Sequence, residues 1–390
     1  MINSIEISNF KGFKKLTIPK LGKLNLIVGK NNSGKSSLLE ALMIYASGGS
    51  ESILRDISRS HDEKARERGA YSETSEFTEA SLNSLGIESN LKIELNVNEA
   101  FPYEHLFYGR RFNKNQIRIG EIEGKEQLSI FYNKKKVVNN NKKNEIIEML
   151  KQFDLEVSAA DNSALNLLEV RKGRFKHSIT LTEPFNFSNQ VDSDERSRIN
   201  FNHVQTSFES MEKLGYLWDR ITLTDYENVV IRSLRLIEPE ITDLRFVSKG
   251  ERRSSRTAII RLKDGSIFPI KSMGDGIGRV LELILNLYSA RDGFFLIDEF
   301  DNGLHYSVQK PLWEIIFNLS KLLNVQVFAT THSWDCIQSF TEVAVDNKEV
   351  EGALLKIGKS KLSKNKGEAI VTVFDEEKLS TITQKMVEVR

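Results

Sequence analysis

Cysteine is almost missing from the 390-residue chain: Cys336 stands alone, which excludes an internal disulfide and a thiolate zinc cluster. An excess of one charge is missing too. Lys and Arg number 55 against 54 Asp and Glu, so the net charge is +1 and no global field draws the protein to nucleic acid or anionic lipid. Long apolar runs are lacking, and no stretch approaches the roughly 18 residues of a membrane helix. The amino terminus, MINSIEISNFKGF, has no apolar block of the signal-peptide kind, so a cytoplasmic protein with no membrane segment is expected. Sustained heptads and internal repeats are also absent, which excludes a long coiled-coil arm.

What the chain does contain is a set of short strings in a fixed order. Residues 29–36 read GKNNSGKS and satisfy the phosphate-binding pattern G-x-x-x-x-G-K-[ST] through Gly29, Gly34, Lys35 and Ser36. The apolar run LGKLNLIVG leads into this loop as a strand, and the apolar spacing after Ser36 predicts a helix through Tyr45. In such a loop the backbone N–H groups of Gly29, Lys30, Asn31, Asn32, Ser33, Gly34, Lys35, Ser36 and Ser37 face the phosphates of ATP. Lys35 would reach the β- and γ-phosphates, and Ser36 would offer a hydroxyl to Mg²⁺. A chance glycine turn before a helix is the competing reading.

Further along, the buried-strand pattern FFLI ends in Asp298 and Glu299, which places two carboxylates at the carboxyl edge of a sheet. Asp298 is expected to hold Mg²⁺ with Ser36, and Glu299 to deprotonate the attacking water, because phosphoryl transfer needs chiefly positioning and charge compensation. His332 follows the strand VQVFAT and suits contact with a γ-phosphate. The string from Ser272 through Gly274, Asp275 and Gly276 opens a glycine-rich helix whose amino terminus would attract an anion. Bland readings compete here as well: an acidic pair at a strand end can cap a turn, and a single histidine can be structural.

Alternation of strands and helices after Pro269 predicts a mostly parallel α/β sheet. The ATPase head is expected over 1–50 and 215–390, with an inserted α+β region at 51–214. In that insertion LKIELNV and IRIGEI read as short strands, and Lys134 to Asn144, KKKVVNNNKKN, as a solvated turn. The tail pairs GALLKIG with AIVTVF across a basic turn and closes in a helix from Glu376.

On NFKGF, GKNNSGKSSLLEAL, SMGDGIGR, LIDEFDNGLHYS and VQVFATTHS, the chain resembles the ABC-type ATPases of the RecF, SMC and OLD group, and among them the stand-alone AAA-family ATPases encoded beside a Toprim-type or other effector in bacterial defence islands. That resemblance implies a P-loop head that closes on a second copy as a homodimer or higher oligomer. It implies that Lys11 sits near the nucleotide, that Ser272 to Gly276 stand for the signature motif, and that Asp301 and His305 face the partner head. The signature departs from LSGGQ, and no motif surrounds the two candidates for the Q-loop glutamine, Gln116 and Gln127.

The expected function is thus Mg²⁺-dependent ATP hydrolysis whose head closure controls a separate effector protein or DNA, in anti-phage defence or DNA repair. The alternatives are a slow ATP-dependent scaffold holding an effector and, further off, the motor of a transporter. Nuclease activity is not expected, since Asp192-Ser193-Asp194 lies in a polar stretch with no strand before it. DNA contact would rest on the clusters at Arg171 to Lys176, at Arg252, Arg253 and Arg256, and at Lys359 to Lys366.

Overall fold

The computed structural model describes residues 1–59, 103–112, 114–136, 164–181, 198–248, 256–360, 363 and 367–375. Three strands open the chain, β1 (Ile5–Phe10), β2 (Phe13–Ile18) and β3 (Leu24–Val28), followed by α1 (Lys35–Ala46) and α2 (Glu51–Arg59). The middle supplies β4 (Ile117–Gly120), β5 (Leu128–Lys136), β6 (Ala164–Lys172), β7 (Phe175–Thr180) and β8 (Phe201–Val204). Next come α3 (Met211–Asp219), α4 (Asp225–Leu234), β9 (Ile241–Ser248), β10 (Arg256–Leu262) and β11 (Ile267–Pro269). The last third holds α5 (Asp275–Ser289), β12 (Phe294–Ile297), α6 (Tyr306–Leu322), β13 (Gln326–Thr330), α7 (Trp334–Asp346), β14 (Gly352–Lys359) and β15 (Ala369–Phe374).

The central sheet runs β15-β14-β3-β13-β12-β8 and is parallel except for β15. Its inner strands LNLIV, FFLI and QVFAT are buried at every position, as strands covered on both faces must be. Alternate residues divide between two cores. Leu26, Val28, Phe295, Ile297, Val327 and Ala329 join the helices from α3 onward, whereas Ile27, Phe294, Leu296 and Phe328 join α1 and an antiparallel sheet of order β2-β1-β4-β5-β6-β7. Both cores therefore press on the strand ends that carry the motifs. The architecture is mixed α/β with a mostly parallel central sheet, as the sequence leads one to expect.

Three expectations change. β8 forms the outer edge of the parallel sheet, so the head resumes near residue 200 and not at 215; its short FNHV string carries no apolar run because only one flank is covered by a strand. β4 to β7 extend the sheet begun by β1 and β2, so these strands of the region expected as an insertion at 51–214 pair directly with the amino-terminal strands. Lys134, Lys135 and Lys136 end β5 instead of sitting in a turn, with backbone pairing to β6. The strand expected at LKIELNV, the Asp192-Ser193-Asp194 string, Arg252, Arg253 and the terminal helix from Glu376 lie outside the described residues. Among the described residues no helix is long and apolar enough to cross a membrane.

Phe300, directly after the acidic pair, is fully buried and stacks on Trp313 with ring centroids 3.9 Å apart, while Trp313 meets Phe340 edge-on at 5.1 Å. Phe300→Ala is expected to cost about 3–5 kcal/mol of stability. A urea titration followed by tryptophan fluorescence would show the midpoint moving to lower denaturant; an unchanged midpoint would count against this anchor.

Candidate functional site

The phosphate loop begins where β3 stops. Gly29 has φ +153° and Gly34 φ +106°; a Cβ on Gly29 would collide with the Ile357 carbonyl oxygen, and one on Gly34 would stand 2.6 Å from the Phe13 ring. Gly34 is also the N-cap of α1, and no side chain caps the helix, so its first N–H groups are left for a ligand. Lys30, Asn31 and Asn32 form the exposed tip, and Ser33 is buried. Lys35 is only 7% exposed, and its Nζ donates to the carbonyls of Gly29 (3.1 Å) and Lys30 (3.4 Å). Burial lowers the Lys35 pKa, and the carboxylates of Asp298 and Glu299 work against that shift. The ammonium thus lies under the loop with two anions in its field.

Opposite the loop stands the strand end of β12. Ser36 Oγ donates to Asp298 Oδ2 at 3.4 Å, Thr330 Oγ1 donates to Asp298 Oδ1 at 2.6 Å, and the Asp298 N–H donates to the Val204 carbonyl at 2.8 Å. Two hard oxygen donors side by side fit Mg²⁺, which takes few protein ligands and completes its shell with water and phosphate oxygens. Among the described residues no group of three or more His, Cys, Asp or Glu is placed to hold a metal ion. Glu299 is half-exposed next to this pair, with φ +49°, a left-handed backbone that a glutamate seldom adopts. Its N–H donates to Thr330 Oγ1 at 2.9 Å.

The remaining expected residues surround this centre. His332 is exposed just past β13, beside Thr331, whose hydroxyl donates to Asp301 Oδ1. His332→Ala is expected to lower turnover about tenfold with nucleotide affinity retained, read by phosphate release against a binding titration; an unaltered rate would make the residue structural. His305 caps α6 by accepting from the Ser307 N–H and lies against the Tyr306 ring at 4.3 Å. Lys11 pairs with Glu40 at 2.6 Å, one turn beyond Ser36 on α1, and burial lowers its pKa against the pull of that carboxylate. Ser272 lies in a 3-10 turn (Ile270–Met273), exposed, with its hydroxyl donating to the Pro269 carbonyl at 2.7 Å. Gly274, φ +90°, caps α5, and Asp275 is exposed in its first turn. A Cβ on Gly276 would come within 3.0 Å of the Gly303 carbonyl, so the start of α5 abuts the loop after Glu299.

Neither Gln116 nor Gln127 lies here. Gln116 precedes β4 and Gln127 precedes β5, both on the antiparallel sheet, and Gln127 Nε2 donates to the Glu121 carbonyl at 3.3 Å. The glutamine beside the acidic pair is Gln205, the exposed residue that follows Val204 at the end of β8. His203 on the same strand is another unforeseen neighbour; burial lowers its pKa, opposed first by Asp298 and then by Glu40. Thr330 and Arg279 stand inside the strings VQVFATTHS and SMGDGIGR, but nothing in those strings marks their contacts with the acidic pair. A Phe-x-x-Val string before Gln205 is the only trace of β8 in the sequence.

In the basic cluster at Arg171 to Lys176, Lys172 is buried whereas Arg171, Arg174 and Lys176 are exposed. Arg171 and Lys176 both pair with the buried Glu169, at 3.1 and 2.8 Å. Lys172 is 3% exposed and donates to the Tyr45 carbonyl, and burial pushes its pKa down to about 8.

A family model described as an AAA ATPase domain matches residues 1–337. An ATP/GTP phosphatase of Helicobacter pylori is 25% identical over 366 residues, covering 88% of each chain. The DNA replication and repair protein RecF of Clostridioides difficile is 38% identical over 47 residues, 12% of this chain and 13% of that protein. Among solved structures, an Smc head bound to the C-winged helix domain of ScpA aligns with 14% identity and a TM-score of 0.48, over 97% of this chain and 99% of that one.

Proposed function

This chain belongs to the AAA ATPase domain family, and from that premise we propose that it is a Mg²⁺-dependent ATP-hydrolysing head which closes on a second copy and passes the cycle to a separate effector protein. The observation that carries the reading is convergence. Lys35 under the phosphate loop, the Ser36–Asp298 pair and the half-exposed Glu299 meet where β3 and β12 end, although more than 260 residues of sequence lie between Lys35 and Glu299.

The division of labour follows from the geometry. Loop N–H groups and Lys35 take the phosphate charge, while Ser36 and Asp298 would hold Mg²⁺, which supplies further charge compensation. Glu299 accepts the proton of the attacking water, and Gln205, rather than Gln116 or Gln127, takes the Q-loop position beside it. The exposed start of α5 at Ser272 to Gly276, with Asp301 and His305 nearby, is the face offered to the second head. The resemblance to the RecF, SMC and OLD group supports a load in DNA repair or anti-phage defence.

Light scattering on Glu299→Gln, with and without Mg-ATP, tests the closure. A mass that doubles with nucleotide is expected. A mass unchanged by nucleotide would sink head closure and leave a preassembled scaffold in its place.

A further inference from the structure

Arg279 is 4% exposed although it carries a full charge, and its guanidinium makes four hydrogen bonds. Nη2 donates to the carbonyls of Asp298 and Glu299, each at 3.0 Å. Nη1 donates to the Gln205 carbonyl at 2.9 Å and to Glu282 Oε2 at 3.0 Å. One side chain on the second turn of α5 thus grips the main chain after β12 and the main chain after β8. Its counter-ion is fully buried: Glu282 also accepts from the Glu209 N–H at 2.9 Å, and Asn286 Nδ2 donates to the Glu282 carbonyl at 2.9 Å.

Stability alone does not account for this arrangement. A buried ion pair is often no better for folding than apolar residues of the same volume, because desolvation offsets the attraction. What an arginine provides, and a hydrophobic residue or a lysine does not, is a planar fork that fixes several acceptors at once. The acceptors here are the peptide groups of the acidic pair. Glu299 holds a left-handed backbone, φ +49°, a conformation that a residue with a side chain seldom keeps unless its surroundings enforce it. Thr330 takes its N–H and Arg279 takes its carbonyl, so the two clamp the residue from both sides.

We infer that Arg279 is a positioning residue for hydrolysis: it holds the Glu299 peptide so that the carboxylate aims at the attacking water, and it ties that posture to Gln205 and to the start of α5. The inference rests on the ATPase reading above. Since α5 begins only one turn before Arg279, a shift of that exposed helix end is carried into the acidic pair of the same head.

The test is a double-mutant cycle on the full chain. Phosphate release is measured for the wild type, Arg279→Lys, Glu299→Gln and the double variant, alongside titration with a fluorescent ATP analogue and circular dichroism. Lysine keeps a charge for Glu282 but cannot fork to both carbonyl sets. Arg279→Lys is expected to lower kcat about tenfold or more, with analogue affinity changed less than about twofold, and to lower the residual rate of Glu299→Gln by less than about twofold. An unchanged kcat, or the same loss in both backgrounds, would overturn the inference and make Arg279 general support. Should Arg279→Lys not fold, Arg279→Gln, which can donate to at most two acceptors, takes its place under the same criteria. Phosphate release by the wild type that persists in Lys35→Ala would overturn the ATPase reading, and this inference with it; Lys35-dependent release with an unaffected Arg279 variant overturns the inference alone.

Discussion

Exchanging Glu299 for glutamine is expected to lower ATP turnover by about two to four orders of magnitude while ATP affinity stays within about twofold. The side-chain shape is kept and the capacity to accept a proton is lost. Nothing in the backbone clamp changes, because Thr330 holds the residue through its N–H and Arg279 through its carbonyl, neither of which belongs to the carboxylate. Steady-state phosphate release and an equilibrium titration separate the two quantities. Full turnover in this variant would remove Glu299 from the role of general base.

Equally large is the effect expected at the loop, but on binding. Lys35→Ala removes charge-assisted bonds to phosphate, each worth roughly 1.5–3 kcal/mol, so the dissociation constant should rise about a hundredfold or more. Gly34→Val should reach the same end by another route. Its side chain would meet the Phe13 ring, which is itself buried, and φ +106° is a conformation that a β-branched residue resists. Calorimetric titration with Mg-ATP would show both losses. Retained affinity in Gly34→Val would mean that the loop can move away from β2, contrary to the close packing described here.

Most of this centre was legible because its residues stand where a strand ends and a helix or loop begins, and the apolar runs before Gly29, Asp298 and Thr331 announce those strands. Two-sided burial makes such runs continuous, as in FFLI and LNLIV. β8 escaped for the converse reason. It is four residues long, half of them polar, and an edge position asks for no apolar run, so Gln205 had no visible strand in front of it. The contacts of Arg279 and Thr330 escaped for a different reason. Arg279 makes three of its four hydrogen bonds to main-chain carbonyls and Thr330 accepts the main-chain N–H of Glu299, and a backbone group leaves no mark on the identity of the residue that carries it. The boundary near residue 200 was missed with β8, since a domain limit read from apolar pattern can only be as fine as the weakest strand beside it.

The strand order also governs when the nucleotide pocket can come into being. β3, which carries the phosphate loop, is flanked by β13 and β14, and Ile2 exchanges hydrogen bonds with the Gln326 side chain. During synthesis the loop emerges with β3, yet its flanking strands arrive some 300 residues later. A nascent chain therefore carries an apolar β3 with no neighbours of its own sheet for most of translation, a state prone to wrong pairing and suited to chaperone capture. Ribosome-bound fragments that stop before Thr330 are therefore expected neither to retain nucleotide nor to resist protease at the loop.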